Sequence, residues 1–158
     1  MFNQKVVRVS SGCALVFAAL LAGTAPAEAE DPTFDLPRMS TGADGFACAG
    51  DVSGQIITHP NHQGWVDIRL RGSLKAFGIP APWCQLAATV EWRNLDTGKS
   101  GSVQIPMYAE GNSVYFWAIP LFSDRVGGGY AISGSGEVEF TLNTNYPHTP
   151  SATNVTVS

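Results

Sequence analysis

The chain has 158 residues and a formal net charge of −4 at neutral pH, with 44% hydrophobic and 14% charged residues. This length is typical of one globular domain. Its nine Lys and Arg residues are dispersed rather than clustered, which argues against a nucleic-acid partner because such binding requires grouped cations that neutralise phosphates.

The N-terminus has the layout of a bacterial secretory signal peptide. Lys5 and Arg8 precede an uncharged apolar run over 13–22, and small residues follow up to an Ala-x-Ala site that ends at Ala29. This order of charge, apolar core and small residues predicts a signal peptide over 1–29 that is cleaved on secretion. The apolar run is shorter than the roughly 20 residues that a bilayer span needs, so we expect no membrane span after cleavage.

Cleavage leaves 129 residues and changes the net charge from −4 to −5, because Lys5, Arg8 and Glu28 leave with the signal peptide. We predict an N-terminal extension without regular structure over 30–45 and one β domain over 46–158. The expected location is extracellular.

Two cysteines remain in the secreted chain, Cys48 and Cys84. A lone pair of cysteines in an oxidising compartment normally forms a disulfide. The two are 36 residues apart, unlike the Cys-x-x-Cys spacing of redox sites, which favours a structural bond. Closing a loop of this length stabilises a fold by roughly 3 to 4 kcal/mol.

Most of the domain shows the period-two alternation of apolar and polar residues that indicates half-buried β-strands. The segments that carry it are 65–71, 86–92, 103–107, 137–143 and 155–157. One or two further strands carrying Cys48 are predicted within 46–57, and others at 114–119 and 130–132. The residues predicted to face the core are Val66, Ile68, Leu70, Leu86, Ala88, Val90, Trp92, Val103, Ile105, Met107, Val138, Phe140, Leu142, Val155 and Val157.

Turn residues separate these strands. The segment 94–101 predicts a hairpin turn, and the glycine-rich segments 127–129 and 134–136 predict further turns or bulges. The tripeptide Asp96-Thr97-Gly98 inside the first turn also occurs in aspartic proteases, whose paired carboxylates activate water. A hairpin turn explains the same three residues without chemistry.

About seven or eight short strands and no helical period describe an antiparallel sandwich or a small β-barrel. Through Cys48, Trp65, Cys84 and the strand at 90–92, the chain resembles small secreted immunoglobulin-like proteins over most of the secreted part. The resemblance implies an all-β, antiparallel immunoglobulin-like β-sandwich with one disulfide, and it carries over no functional residues. A small β-barrel is the alternative.

His59 and His62 are weak candidates for metal ligands. Neutral imidazole binds zinc and copper well, and Asp67 lies nearby in sequence, but Pro60 and Gly64 mark a loop in which polar residues need no further reason. We therefore expect no metal and no cofactor.

The segment before Cys84 carries three large apolar residues, Phe77, Ile79 and Trp83, among prolines that exclude a central strand. It either caps one end of the core or contacts a partner. The sequence thus predicts a secreted, non-enzymatic binding or envelope-associated module whose partner is a protein or the cell envelope. A protease inhibitor that presents this loop and a small secreted hydrolase are the alternatives.

Overall fold

The computed structural model describes residues 31–81, 83–109, 115–116, 119–120 and 124–158. The predicted signal peptide lies outside this part of the chain.

The described part is built from β-strands and contains no helix. The strands are β1 Thr33–Gly42, β2 Cys48–Thr58, β3 Trp65–Ala76, β4 Ile79–Pro80, β5 Leu86–Asn94, β6 Ser100–Ala109, β7 Tyr115–Phe116, β8 Ile119–Pro120, β9 Asp124–Ile132, β10 Gly136–Thr144 and β11 Ala152–Val157.

Eight long strands form two antiparallel sheets that share one strand. One sheet has the order β1-β2-β3-β9, with β4 on the end of β3, and the other has the order β6-β5-β10-β11. Strand β6 joins them, because it pairs with β5 along its length and with β9 at its end, where Tyr108 lies opposite Val126. The predicted antiparallel sandwich is thus confirmed, and the small barrel considered as the alternative is not formed.

The core lies between the two sheets and follows the predicted alternation. Among the predicted inward residues, Trp92 and Val103 are partly buried against the core, and all the others are buried. Phe140 is the largest of the fully buried side chains. Burial of a large apolar side chain contributes roughly 1.5 to 3 kcal/mol, so these alternating faces account for most of the driving force for folding.

The prediction that 30–45 is an extension is wrong for Thr33–Gly42, which is edge strand β1. The alternation is interrupted there by a bulge: Leu36 lies opposite Gly54 and Met39 lies opposite Val52, so β1 has one extra residue. A bulge shifts the inward phase by one position, which hides the strand from a period-two pattern.

The sequence predicted a turn or bulge at the glycine run 127–129, but these residues are part of β9. Gly127 and Gly129 face β6, where an added Cβ would lie 2.6 Å from Cγ2 of Ile105 and 2.9 Å from Cγ1 of Val103, respectively. Glycine is therefore required by the close approach of the two strands.

The predicted single strand over 114–119 is not formed as such. β7 and β8 pair with each other, Tyr115 opposite Pro120. The rest of that prediction lies outside the described residues.

Candidate functional site

The predicted disulfide between Cys48 and Cys84 is present and joins the two sheets at one end of the sandwich. Cys48 begins β2, and Cys84 lies just before β5, with the two Cα atoms 5.7 Å apart. Beside it, the backbones of Asp44 and Gln85 exchange two hydrogen bonds of 2.8 and 3.1 Å. This end, which we call the disulfide end, is therefore fixed by a covalent bond and a short backbone bridge.

Four large apolar side chains are exposed at the disulfide end. The exposed fractions are 82% for Phe46, 73% for Phe77, 61% for Ile79 and 57% for Trp83. The rings of Phe46 and Phe77 meet edge to face, with centroids 5.5 Å apart. We call these four residues the end patch. They do not fill the core, and an exposed group of this kind marks an interaction surface more often than isolated apolar residues do.

Trp83 is held against the turn between β1 and β2. A Cβ added at Gly45 would lie 3.7 Å from Cδ1 of Trp83 and 2.7 Å from Sγ of Cys48. Gly45 also has a φ of +113°, which L side chains rarely adopt. The indole therefore lies close to both the disulfide and the turn that carries Phe46.

The backbone of the end patch is strained at Phe77. Phe77 and Gly78 form the two-residue turn between β3 and β4, with φ values of +52° and +80°. Positive φ at both central residues is typical of a type I′ turn, which favours Asn-Gly. A bulky residue in the left-handed region costs roughly 1 to 2 kcal/mol. Phe77 is therefore exposed in a backbone conformation that disfavours a bulky residue.

The structure places the three predicted loop residues at the disulfide end and adds Phe46, which the sequence analysis missed. Phe46 was placed at the start of a strand, whereas it lies in the turn before Cys48, followed by Ala47 at a φ of +55°. The signal that could have identified it was an aromatic residue next to Gly45 and close to a disulfide cysteine.

The predicted metal ligands lie at the opposite end, where His59 is already engaged. Its Nδ1 lies 2.8 Å from Oδ2 of Asp31, and its Nε2 lies 3.2 Å from Oδ2 of Asp67. Burial lowers the pKa of His59, but the hydrogen bonds that its ring donates to the two carboxylates, together with their negative charges, outweigh burial and raise the pKa above its ordinary value of 6.5. The rings of His59 and His62 are perpendicular to each other, with their centroids 6.2 Å apart. Among the described residues, no group of three or more acidic, His or Cys side chains could hold a metal ion.

Trp65 lies beside this histidine and is also engaged. Its ring stacks on that of Tyr130, with centroids 4.9 Å apart and an interplanar angle of 10°. Its Nε1 donates to Oδ1 of Asp67 at 3.4 Å. At this end the stacked pair also carries a side-chain hydrogen bond, whereas the pair in the end patch, Phe46 and Phe77, meets edge to face.

Asp96 has a structural role in the turn between β5 and β6. Its carboxylate accepts a hydrogen bond of 2.9 Å from the backbone N–H of Glu137. The adjoining Asn94 is fully buried and accepts hydrogen bonds from the N–H groups of Asp96 and Thr97. The carboxylate therefore fixes a turn, as the hairpin interpretation of this tripeptide predicts.

Comparison of the chain with protein-family models, with curated proteins and with solved structures finds no match. The described residues include no helix that is long and apolar enough to cross a bilayer.

Proposed function

We propose that this chain is a secreted, non-enzymatic binding module that docks a protein partner through the end patch. The observation that carries the proposal is Phe77, a large aromatic residue that is 73% exposed in a turn whose positive φ disfavours it. Positions that break a local conformational rule without a packing gain are expected at functional sites.

The rigidity of the disulfide end supports binding. Binding to a flexible surface is weakened by the conformational entropy that the surface loses when it becomes ordered. Here the disulfide and the bridge between Asp44 and Gln85 fix the turn of Phe46, and the hairpin of β3 and β4 fixes Phe77. Exposed aromatic side chains on such a frame are effective interface anchors.

The engagement of the chemically reactive side chains favours binding over catalysis. The Asp96 carboxylate accepts a backbone hydrogen bond, and both nitrogens of His59 lie against carboxylates. Groups committed in this way are poorly placed to exchange protons with a substrate. The disulfide is compatible with the secreted location that the N-terminal pattern predicts.

Photo-crosslinking tests the proposal. A photoreactive phenylalanine analogue is introduced at Phe77 of the full chain, and the secreted protein is irradiated in its own culture fluid. We expect one discrete cross-linked protein, because the analogue keeps an aromatic ring in the end patch. The same analogue at Leu95, an exposed apolar residue in the turn at the opposite end, is the matched control and should not give this product.

The cross-linked product also separates the alternatives. If the cross-linked protein is a protease, and the chain inhibits its hydrolysis of substrate, the chain is a protease inhibitor. The same product and yield from both positions, or attachment to lipid or saccharide only, would contradict a protein partner at the end patch.

A further inference from the structure

The outer face of the sheet β1-β2-β3-β9, which points away from the core, carries a groove with a volume of about 430 Å³. Three arginines line it, Arg38, Arg69 and Arg71, together with Asp35, Ser53 and Gln55. This volume is within the range of small-molecule sites. The groove is separate from the end patch.

The backbone explains why the groove forms there. The bulge of β1 lies between Leu36 and Met39, which are both buried, whereas Pro37 and Arg38 are consecutive and both exposed. A bulge re-aims a side chain in this way, and it adds Arg38 to the outer face.

The neighbouring strands complete the groove. Arg69 and Arg71 are two residues apart on β3 and so project to the same face. Strand β2 runs between β1 and β3, with Gln55 opposite Arg69 and Ser53 opposite Arg71. Because Ser53 is short, the middle of this face is lower than its arginine-bearing sides.

The charges of the groove are only partly compensated. Nη2 of Arg38 forms an ion pair of 3.2 Å with Asp51, and Asp35 accepts a hydrogen bond of 3.4 Å from Nε2 of Gln55. Among the described residues, no carboxylate pairs with Arg69 or Arg71. Within the described part of the chain, the guanidinium groups of Arg69 and Arg71 thus lack an acidic partner, although the whole chain has a net charge of −4.

We propose that this groove binds a small, hydroxyl-bearing ligand with one anionic group, a carboxylate or a phosphate. Arg69 and Arg71 donate charge-assisted hydrogen bonds to the anionic oxygens, which guanidinium groups bind in planar, bidentate geometry. Ser53 and Gln55 supply neutral hydrogen bonds for hydroxyl groups. Asp35 repels any further anionic group beyond the one that the arginines bind, so the groove selects against densely charged polyanions.

Isothermal titration of the folded secreted protein tests this inference with three probes of similar size: glucuronate, glucose 6-phosphate and neutral glucose. We expect saturable binding of one or both anions and none of glucose. The stronger of the two anions identifies whether the natural group is a carboxylate or a phosphate. Added salt should weaken the binding, because screening reduces the attraction between charges.

Variants separate a built site from general charge attraction. We expect Arg69→Gln and Arg71→Gln each to weaken anion binding by about tenfold or more, which corresponds to the loss of one charge-assisted contact. Arg93→Gln makes the same change of charge on β5 of the other sheet and should leave binding unchanged. Arg71→Lys keeps the charge and loses the bidentate geometry, so an intermediate loss is expected.

The urea midpoint of each variant confirms that the fold is intact. Absence of saturable binding by either anion, or an equal loss in Arg93→Gln, would overturn the inference. Neither result bears on the end patch, whose partner is tested separately by cross-linking at Phe77.

Discussion

The two ends of the sandwich both expose aromatic side chains, but they hold them in opposite ways. At the end of His59, Trp65 stacks on Tyr130 and donates to Asp67. At the disulfide end, Phe77 stands 73% exposed on a turn with positive φ. Exposure of aromatic side chains is therefore common to both ends, and the strained turn that carries Phe77 is what differs between them.

The ends also differ in what fixes their turns. At the disulfide end, the fixing element is the covalent bond between Cys48 and Cys84. At the opposite end, it is the buried side chain of Asn94, whose Nδ2 donates to the carbonyl groups of Ser133 and Ser135 at 3.1 and 3.0 Å. The disulfide end is therefore fixed by two cysteines that are not part of the end patch, which leaves the exposed residues of the end patch available for recognition.

Removal of the disulfide should have the largest effect. We expect the double variant Cys48→Ala, Cys84→Ala to lose roughly 2 to 5 kcal/mol of unfolding free energy, because the unfolded chain is no longer constrained. Urea unfolding measures the loss. Reductant should lower the wild-type midpoint to that of the variant and leave the variant unchanged. A difference below about 0.5 kcal/mol would contradict the fixing role.

Truncation of Asn94 should have the next largest effect. Asn94→Ala removes the four hydrogen bonds made at 2.9 to 3.1 Å by its buried side chain and leaves their backbone partners without it, one of them at buried Ser133, so we expect a loss of roughly 2 to 3 kcal/mol. Asn145→Ala, at an exposed position, is the control and should change stability by about 0.5 kcal/mol or less. Equal effects of the two variants would show that the network does not fix this end.

The pH dependence of stability should carry a smaller contribution from His59. Its pKa is raised above 6.5 in the folded protein, so the protonated form is stabilised by folding. This contribution is complete below pH 6.5 and is lost as the pH rises through the folded pKa. Urea midpoints across this range should fall less in His59→Gln than in wild type, while His62→Gln should follow wild type. Parallel profiles for wild type and His59→Gln would contradict a stabilising role for the contacts of His59 with Asp31 and Asp67.

The fold was largely predictable because the local patterns that stand out in the sequence, the alternation and the two cysteines, are also the features that form the core and the disulfide. The alternation in β3, β5 and β10 identified inward residues such as Val66, Val90 and Phe140, and the two lone cysteines identified the disulfide. Strand β1 was missed because the bulge at Pro37 shifts its phase. The glycines of β9 were mistaken for a turn because their close contact with β6 depends on tertiary packing.

The sites were less predictable because they combine residues from distant parts of the chain. The loop before Cys84 was identified from its apolar composition, but the contact between Phe46 and Phe77 joins two different turns. The arginine groove unites Arg38 with Arg69 and Arg71 across β2. Arg69 and Arg71 share a face of β3 because they are two residues apart, but Arg38 lies on β1, and only the sheet register and the bulge place it beside them.

The most direct test of the central claim is the substitution Phe77→Asn, measured for both stability and partner capture. Asn is favoured at this turn position, and relief of the left-handed strain offsets the lost contact with Phe46, so we expect a change in stability within about 1 kcal/mol. Affinity for the partner cross-linked at Phe77 should fall by about 30-fold or more, as for a hot-spot aromatic residue that contributes roughly 2 kcal/mol. Unchanged affinity together with a loss of about 3 kcal/mol or more in stability would show instead that Phe77 serves the fold.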